Sequence, residues 1–208
     1  MALDKSQEYI SDMLHKMKRE IHVLVFTTLT RQGYRQCPAC EDTASFVRNL
    51  AALSEKLVWD EISVEDAEKC KKYDVSRFPT ILIPEFNIRY TGAPIGLEAS
   101  PFFQTLLMAS TGETILGNLI DEKVAAIKGG KLMVIVTPTC PYCSQAVLLE
   151  NSLAIMSNGK IGVEVVEAYE NPDIAKQWQV SGVPVTIIND KDKIVGVPTL
   201  QKLLGYLS

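Results

Sequence analysis

The chain has 208 residues, 47% of them hydrophobic and 22% charged, a composition that supports a packed core and suits one large domain or two smaller ones. Its formal charge of -4 speaks against nucleic acid or an anionic membrane as the main partner, and no apolar run reaches the roughly 20 residues that span a bilayer. The opening stretch MALDKSQEYISDMLHKMKRE mixes charge with scattered apolar residues and lacks the apolar block of a secretion signal, so it reads as the start of a cytoplasmic protein.

In chain order, the β-branched run HVLVFTT (His22 to Thr28) reads as a buried parallel strand. A long loop, LTRQGYRQ, leads to CPAC (Cys37 to Cys40) and then to EDTASFVRNLAALSEKL, whose Phe46, Leu50, Leu53 and Leu57 recur at helical spacing. A strand (VWDEIS) and a short helix (VEDAEKCKKYDV) follow. FPTILIPEFNIRY predicts a strand pair broken at Pro84 and Glu85, and IGLEASPFFQTLLMAS a closing helix. TGETILGNLIDEKVAAIKGG (111–130) reads as a connecting helix stopped by Gly129 and Gly130.

The same order then repeats. KLMVIVTP is a strand, CPYC (Cys140 to Cys143) follows, and YCSQAVLLENSLAIMSN is helical. Next come a strand (IGVEVVEAY), a short helix (NPDIAKQWQV), a hairpin turning at NDKD (VPVTIINDKDKIVGV) and a last helix (PTLQKLLGYLS). The reading is a tandem α/β fold with two mixed sheets. Residues 1–112 form a unit carrying CPAC, and residues 113–208 form a unit carrying CPYC.

In each unit the first cysteine is expected just after a strand and at a helix start. There, free backbone N–H groups and the helix dipole favour thiolate over thiol. In the cytoplasm thiols stay reduced, so paired cysteines point to catalysis or metal rather than a structural staple. A four-cysteine zinc site would have to unite pairs half a chain apart, whereas zinc ribbons bring together pairs about 15–20 residues apart. The two histidines, His15 and His22, lie away from both pairs. The cysteines therefore read as two redox dithiols, with no metal. SRFPT and SGVPVT set Pro79 and Pro184 at strand heads after matching short helices. Two prolines at matched positions predict cis bonds after Phe78 and Val183, holding backbone near the sulfurs for a substrate chain.

The order of elements, with CPxC and (F/V)P, resembles the thioredoxin fold. The tandem arrangement is similar to the glutaredoxin-like protein disulfide oxidoreductases of archaea and thermophilic bacteria, and VTPTCPYC, RYTGAPIGLE and VEAYENP carry the likeness. The resemblance implies two tandem thioredoxin-like units, each a mixed sheet flanked by helices. It implies a cytoplasmic enzyme that reduces, forms or reshuffles disulfides of protein substrates through Cys37, Cys40, Cys140 and Cys143. No cofactor is implied, and a thioredoxin reductase would recharge the enzyme.

Three positions depart from related patterns. Thr137 stands where glutaredoxins carry lysine, their Gly-Gly turn is missing from KIVGVPTLQ, and Val134 replaces the buried aspartate of thioredoxins. Glutathione is therefore not the expected reductant. Glu167 and Asp60, on strands beside the cysteine strands, are the candidate proton-transfer acids. Cys70 reads as a packing residue, and Arg31, Arg35 and Lys131 as cations near the sites. Two other functions stay open: an electron-relay module of a peroxide-reducing system, whose reductases carry a similar tandem fold, and a non-catalytic binding or chaperone module, with apolar surface beside FPT and GVPVT.

Overall fold

The computed structural model describes residues 5–28, 30–31, 34–117, 124 and 127–207. Of the connecting helix expected at 111–130, residues 118–123, 125 and 126 lie outside the described residues; Thr111 instead ends the helix that starts at Ala99, residues 112–117 are a cap and turn because Gly112 takes a left-handed φ of 74°, and Gly130 opens a strand. The strands are β1 (Ile21–Thr27), β2 (Thr30–Arg31), β3 (Tyr34–Arg35), β4 (Leu57–Ser63), β5 (Thr80–Ile83), β6 (Ile88–Thr91), β7 (Gly130–Val136), β8 (Ile161–Glu167), β9 (Val185–Ile188) and β10 (Asp192–Val195). The helices are α1 (Lys5–His15), α2 (Cys40–Ala51), α3 (Ala67–Lys72), α4 (Ala99–Thr111), α5 (Cys143–Met156), α6 (Pro172–Gln177) and α7 (Leu200–Leu207).

Each half builds a mixed four-stranded sheet, as the strand and helix order requires. β1 pairs parallel with β4 and antiparallel with β5, and β7 does the same with β8 and β9. Parallel partners need the crossover helices α2 and α5, whereas β5–β6 and β9–β10 are hairpins. The first hairpin turns through a 3-10 segment, Pro84–Phe86, and Asn87 at φ 54° completes it.

The two sheets do not stay separate. β6 pairs parallel with β8, from Ile88 opposite Val163 to Thr91 opposite Val166, giving one eight-stranded sheet in the order β10-β9-β7-β8-β6-β5-β1-β4. The Thr91 hydroxyl donates to Glu164 Oε1 at 2.7 Å, and Asn87 O accepts from the Val163 N–H at 3.0 Å. Each half therefore covers one bare edge of the other, satisfying groups that would otherwise invite foreign pairing.

One face of this sheet carries a core that runs through both halves. Leu14, Val25, Val47, Tyr90, Phe102, Leu132, Val134, Val147, Leu153 and Leu203 all belong to it. The other face has two separate patches, Leu24, Phe26, Ile62, Val75 and Leu82 around α3, and Met133, Ile135, Val166, Ile174, Val185 and Ile187 around α6. Helix α5 is buried on nearly every side because α4 packs over it, so it lacks a polar face. Tyr90 on β6 stacks edge-on with Phe102, ring centroids 5.0 Å apart. Its hydroxyl donates to Thr105 Oγ1 on α4 at 3.2 Å and accepts from Asn151 Nδ2 on α5 at 2.8 Å. Those bonds fix the relative positions of the two halves in the dry interior.

Glu150 is buried on α5, its Oε1 accepting from the Thr186 hydroxyl at 2.6 Å and its Oε2 without a partner among the described residues. Burial pushes its pKa up to about 8. Because this exceeds the carboxyl's unfolded value, the folded chain holds a proton that the unfolded chain releases. The associated stability is present below about pH 4.5 and is lost as pH rises through about 8. Glu150→Gln should flatten the fall in Tm between about pH 4.5 and pH 8, measured by thermal unfolding. An equally steep fall in the variant would exclude Glu150 as its source.

Candidate redox sites

Both Cys-x-x-Cys pairs are bonded, Cys37 to Cys40 and Cys140 to Cys143, and Cys70 is free. In each pair the first cysteine lies in the turn before the helix and the second is the first helical residue, one turn later than the sequence suggests. Pro38 and Pro141 suit that turn, since a fixed φ favours its second position. The helix still acts on the leading sulfur, because the Cys143 N–H points at Cys140 Sγ, 3.1 Å away. Cys140 is 6% exposed and Cys143 fully buried; Cys37 is 8% exposed and Cys40 fully buried.

The Phe78–Pro79 and Val183–Pro184 peptide bonds are both cis. Cys140 Sγ lies 3.7 Å from Val183 O, so the strand head at Pro184 lies against the leading sulfur. Beside it, Tyr142 is widely exposed. Part of the wall at this C-terminal site comes from the N-terminal half. Leu97 N–H donates to Pro138 O at 2.8 Å, and Gly96 (φ +61°) runs so close that a Cβ would fall 2.6 Å from that oxygen.

The N-terminal site is built around Arg35. Its guanidinium donates to Glu61 Oε1 (2.5 Å), Glu41 Oε2 (2.7 Å), Thr27 Oγ1 (2.9 Å) and Thr28 O (3.1 Å). Those carboxylates raise its pKa against the opposing effect of burial. Thr28 Oγ1 in turn accepts from the Cys37 N–H at 3.0 Å, and the Thr28 N–H points at Cys40 Sγ, 3.5 Å away. Arg35, two residues before Cys37, is thus one cation bridging β4, α2 and the end of β1.

The two candidate acids part company. Glu167 is buried at the end of β8, opposite Val136, its oxygens accepting from the Tyr169 and Glu170 N–H groups at 3.0 and 2.6 Å. Asp60 is exposed and pairs with His22 Nε2 at 2.9 Å. Its register partner Leu24 belongs to the face covered by α3, so Asp60 points away from the cysteine helix and its neighbour Glu61 points towards it. Strand alternation in VWDEIS, counted from the core face of Val23 and Val25, was the signal that favoured Glu61. Arg35 reaches its site, whereas Lys131 pairs with Asp190 at 3.3 Å on the surface; the Arg31 side chain is outside the described residues. Cys70 packs under the sheet at α3, and burial raises its pKa. Among the described residues no group of three or more His, Cys, Asp or Glu side chains is arranged to hold a metal ion, and no helix is long and apolar enough to cross a membrane.

A strand-leading Cys-x-x-Cys at a helix start, facing a strand head at proline, defines a thioredoxin-fold thiol–disulfide oxidoreductase. A thioredoxin domain model matches residues 131–208. The thioredoxin of Methanocaldococcus jannaschii is 28% identical over 74 residues, 36% of this chain and 87% of that protein. A probable thioredoxin of Methanothermobacter marburgensis is 30% identical over 78 residues, 38% of this chain and 92% of that protein. The crystal structure of a protein disulfide oxidoreductase from Aeropyrum pernix superposes with a TM-score of 0.88 at 30% identity, covering 99% of this chain and 91% of that one. The N-terminal domain of the alkylhydroperoxide reductase AhpF from Enterococcus faecalis shares the fold at a TM-score of 0.87 and 18% identity, with full coverage of both chains. The chain belongs to the tandem thioredoxin-fold protein disulfide oxidoreductases, and it is a thiol–disulfide oxidoreductase with two Cys-x-x-Cys pairs.

Gly96→Ala should push the Pro138 segment away from its present path and disturb the C-terminal site alone. We expect insulin reduction through Cys140–Cys143, assayed in a Cys37→Ser/Cys40→Ser background, to fall at least about tenfold, as expected when a reacting atom is misplaced by about 1 Å. Unchanged turnover there would show that the loop is not part of the site.

Proposed function

We propose that Cys140 is the attacking thiol of the C-terminal unit and Cys143 the resolving one, with Cys37 and Cys40 taking the same roles in the N-terminal unit. The observation that carries this is the Cys143 N–H aimed at Cys140 Sγ at 3.1 Å: a backbone donor at a helix start stabilises a thiolate there. The exposure difference supports the same order, since the leading cysteine is the more exposed residue of each pair.

In the reductive direction, Cys140 thiolate attacks one sulfur of a substrate disulfide. A Cys140–substrate bond forms and the other substrate sulfur leaves as thiolate. Cys143 then loses its proton and attacks Cys140 Sγ, closing the enzyme disulfide and releasing the second substrate thiol. The substrate gains two electrons and the dithiol loses them. Reversal of these steps forms a disulfide, and incomplete resolution reshuffles one. The backbone at Val183 and Pro184 supplies hydrogen-bonding groups beside the sulfur for an extended substrate segment, and the Phe78–Pro79 segment does so in the first unit. Exposed Tyr142 and Leu97 offer apolar contact to the same chain.

Division of the chain near residue 112 belongs to this reading, supported by the left-handed cap at Gly112 (φ 74°) that ends α4. We place the enzyme in the cytoplasm, acting on protein disulfides and dithiols, with a thioredoxin reductase returning its electrons. The acidic character of the chain and its lack of a built glutathione turn support a protein partner over glutathione.

Cys143→Ser should accumulate mixed disulfides with substrate chains that disappear on adding dithiothreitol, while Cys140→Ser accumulates at least about tenfold fewer by non-reducing electrophoresis. Cys40→Ser should likewise trap more than Cys37→Ser, because the leading cysteine is the more exposed of that pair as well. Equal trapping by Cys140→Ser and Cys143→Ser would reverse the assignment.

A further inference from the structure

The two dithiols receive their backbone donors from different places. In the C-terminal unit the cysteine helix itself supplies one, the Cys143 N–H aimed at Cys140 Sγ, and the Cys140 N–H donates to Thr137 O at 3.1 Å. In the N-terminal unit the matching Cys40 N–H goes to Cys37 O at 3.3 Å. The donor to that pair is the Thr28 N–H, which points at Cys40 Sγ from 3.5 Å. The Thr28 hydroxyl meanwhile accepts from the Cys37 N–H at 3.0 Å. Thr28 and Thr137 hold the same place, one residue past β1 and β7. In the first unit, however, that residue touches both cysteines from nine positions upstream of Cys37.

Arg35 is what holds Thr28. Its Nη1 donates to Thr28 O at 3.1 Å and to Thr27 Oγ1 at 2.9 Å, while Glu61 and Glu41 anchor the guanidinium from β4 and α2. The Arg35 side chain is only 15% exposed, so these bonds are made largely away from water. Glu61 stands opposite Val25 in register, where the C-terminal unit sets Val165 opposite Val134. Val165 belongs to the core, so the N-terminal unit has a carboxylate where the other has a packed valine. A cation beside that carboxylate is expected. An ion pair serving stability alone would end at Glu61, yet Arg35 reaches past it to the backbone that contacts the dithiol.

That contact is worth more in one redox state than in the other. A disulfide sulfur is a weak acceptor, whereas a reduced pair that loses a proton carries negative charge shared between its sulfurs. An N–H aimed at one of them therefore favours the reduced pair, because hydrogen bonds to ionised acceptors are the stronger ones. Stabilising the reduced form raises the reduction potential of a dithiol. Glu61 and Glu41 offset the guanidinium charge, so the influence of Arg35 on the sulfurs runs through the backbone it holds.

We propose that Arg35 is a positioning residue of the N-terminal dithiol: by holding Thr28 O it keeps the Thr28 N–H on the Cys40 sulfur and raises the reduction potential of the Cys37–Cys40 pair independently of Cys140–Cys143. The proposal rests on Cys37 and Cys40 cycling between disulfide and dithiol. When dithiothreitol reduces the pair, the Cys37–Cys40 bond breaks and the two dithiothreitol sulfurs join. Two electrons pass to the pair, the reductant's protons go to the pair or to solvent, and Arg35 exchanges neither.

The test equilibrates the full-length chain in buffers of reduced and oxidised dithiothreitol, quenches by alkylation and reads both pairs in the same molecule by peptide mass spectrometry. Arg35→Met should shift the Cys37–Cys40 equilibrium at least about tenfold towards the disulfide, a fall of about 30 mV, and leave Cys140–Cys143 within about twofold. Arg35→Met/Glu61→Val, which replaces the ion pair by apolar groups as at Val165, should keep most of that shift. An unchanged Cys37–Cys40 equilibrium in Arg35→Met overturns the proposal. So does an equal shift of both pairs, which would mean general loosening of the fold. Full return to the parent value in the double variant also overturns it, since Arg35 would then only neutralise Glu61. If the parent Cys37–Cys40 pair stays oxidised in every buffer, the reading of that site as a redox dithiol fails, and the proposal with it.

Discussion

The pairing of β6 with β8 is the constraint on which the architecture depends. It turns two four-stranded sheets into one of eight strands and makes the core beneath α2, α4 and α5 continuous. Parallel edge pairing is unforgiving in register, because a slip of one residue would exchange every inward and outward side chain of the added half. Here Tyr90 and Val165 face inwards together, and the Tyr90–Thr105–Asn151 bonds form only in that register. Each such bond contributes about 1 kcal/mol net, but breaking one in the dry interior costs more.

The same joint brings elements of one half to the site of the other. The loop that follows β6 reaches Pro138 and packs its 3-10 turn, Gly96–Glu98, against the cysteine helix α5. Arg77, just before Pro79, pairs with Asp173 on α6 and lies 3.3 Å from Asn171 Oδ1. Asn171 Nδ2 bonds to Thr91 O and Glu167 O, at 3.2 and 3.0 Å. The proline segment of the N-terminal site is therefore connected through hydrogen bonds to the ends of β6 and β8. Arg77 and Asp173 are too exposed for their ion pair to contribute much stability, so its value lies in alignment.

Much of this was legible in the chain. The repeat of CPAC and CPYC, the strand before each, and the prolines after matched short helices located both dithiols, because their chemistry is local. What escaped was non-local. Nothing in FNIRY says that its strand lies against IGVEVVEAY, since an outer hairpin strand looks the same whether bare or paired. The choice between Asp60 and Glu61 was readable from strand alternation, but only once the cysteine face had been fixed. Arg35 sat visibly close to Cys37, yet its role in tying β4 to α2 required the fold.

The central claim is that two separate dithiols cycle within one continuous framework. The direct measurement is thiol occupancy of the full-length chain equilibrated across a series of dithiothreitol redox buffers, quenched by alkylation and read peptide by peptide by mass spectrometry. The account predicts that Cys37 and Cys40 convert together and Cys140 and Cys143 convert together, each as a two-electron step, while Cys70 stays alkylatable throughout. A pair that never changes state, or a bond joining a cysteine of one pair to a cysteine of the other, would contradict it.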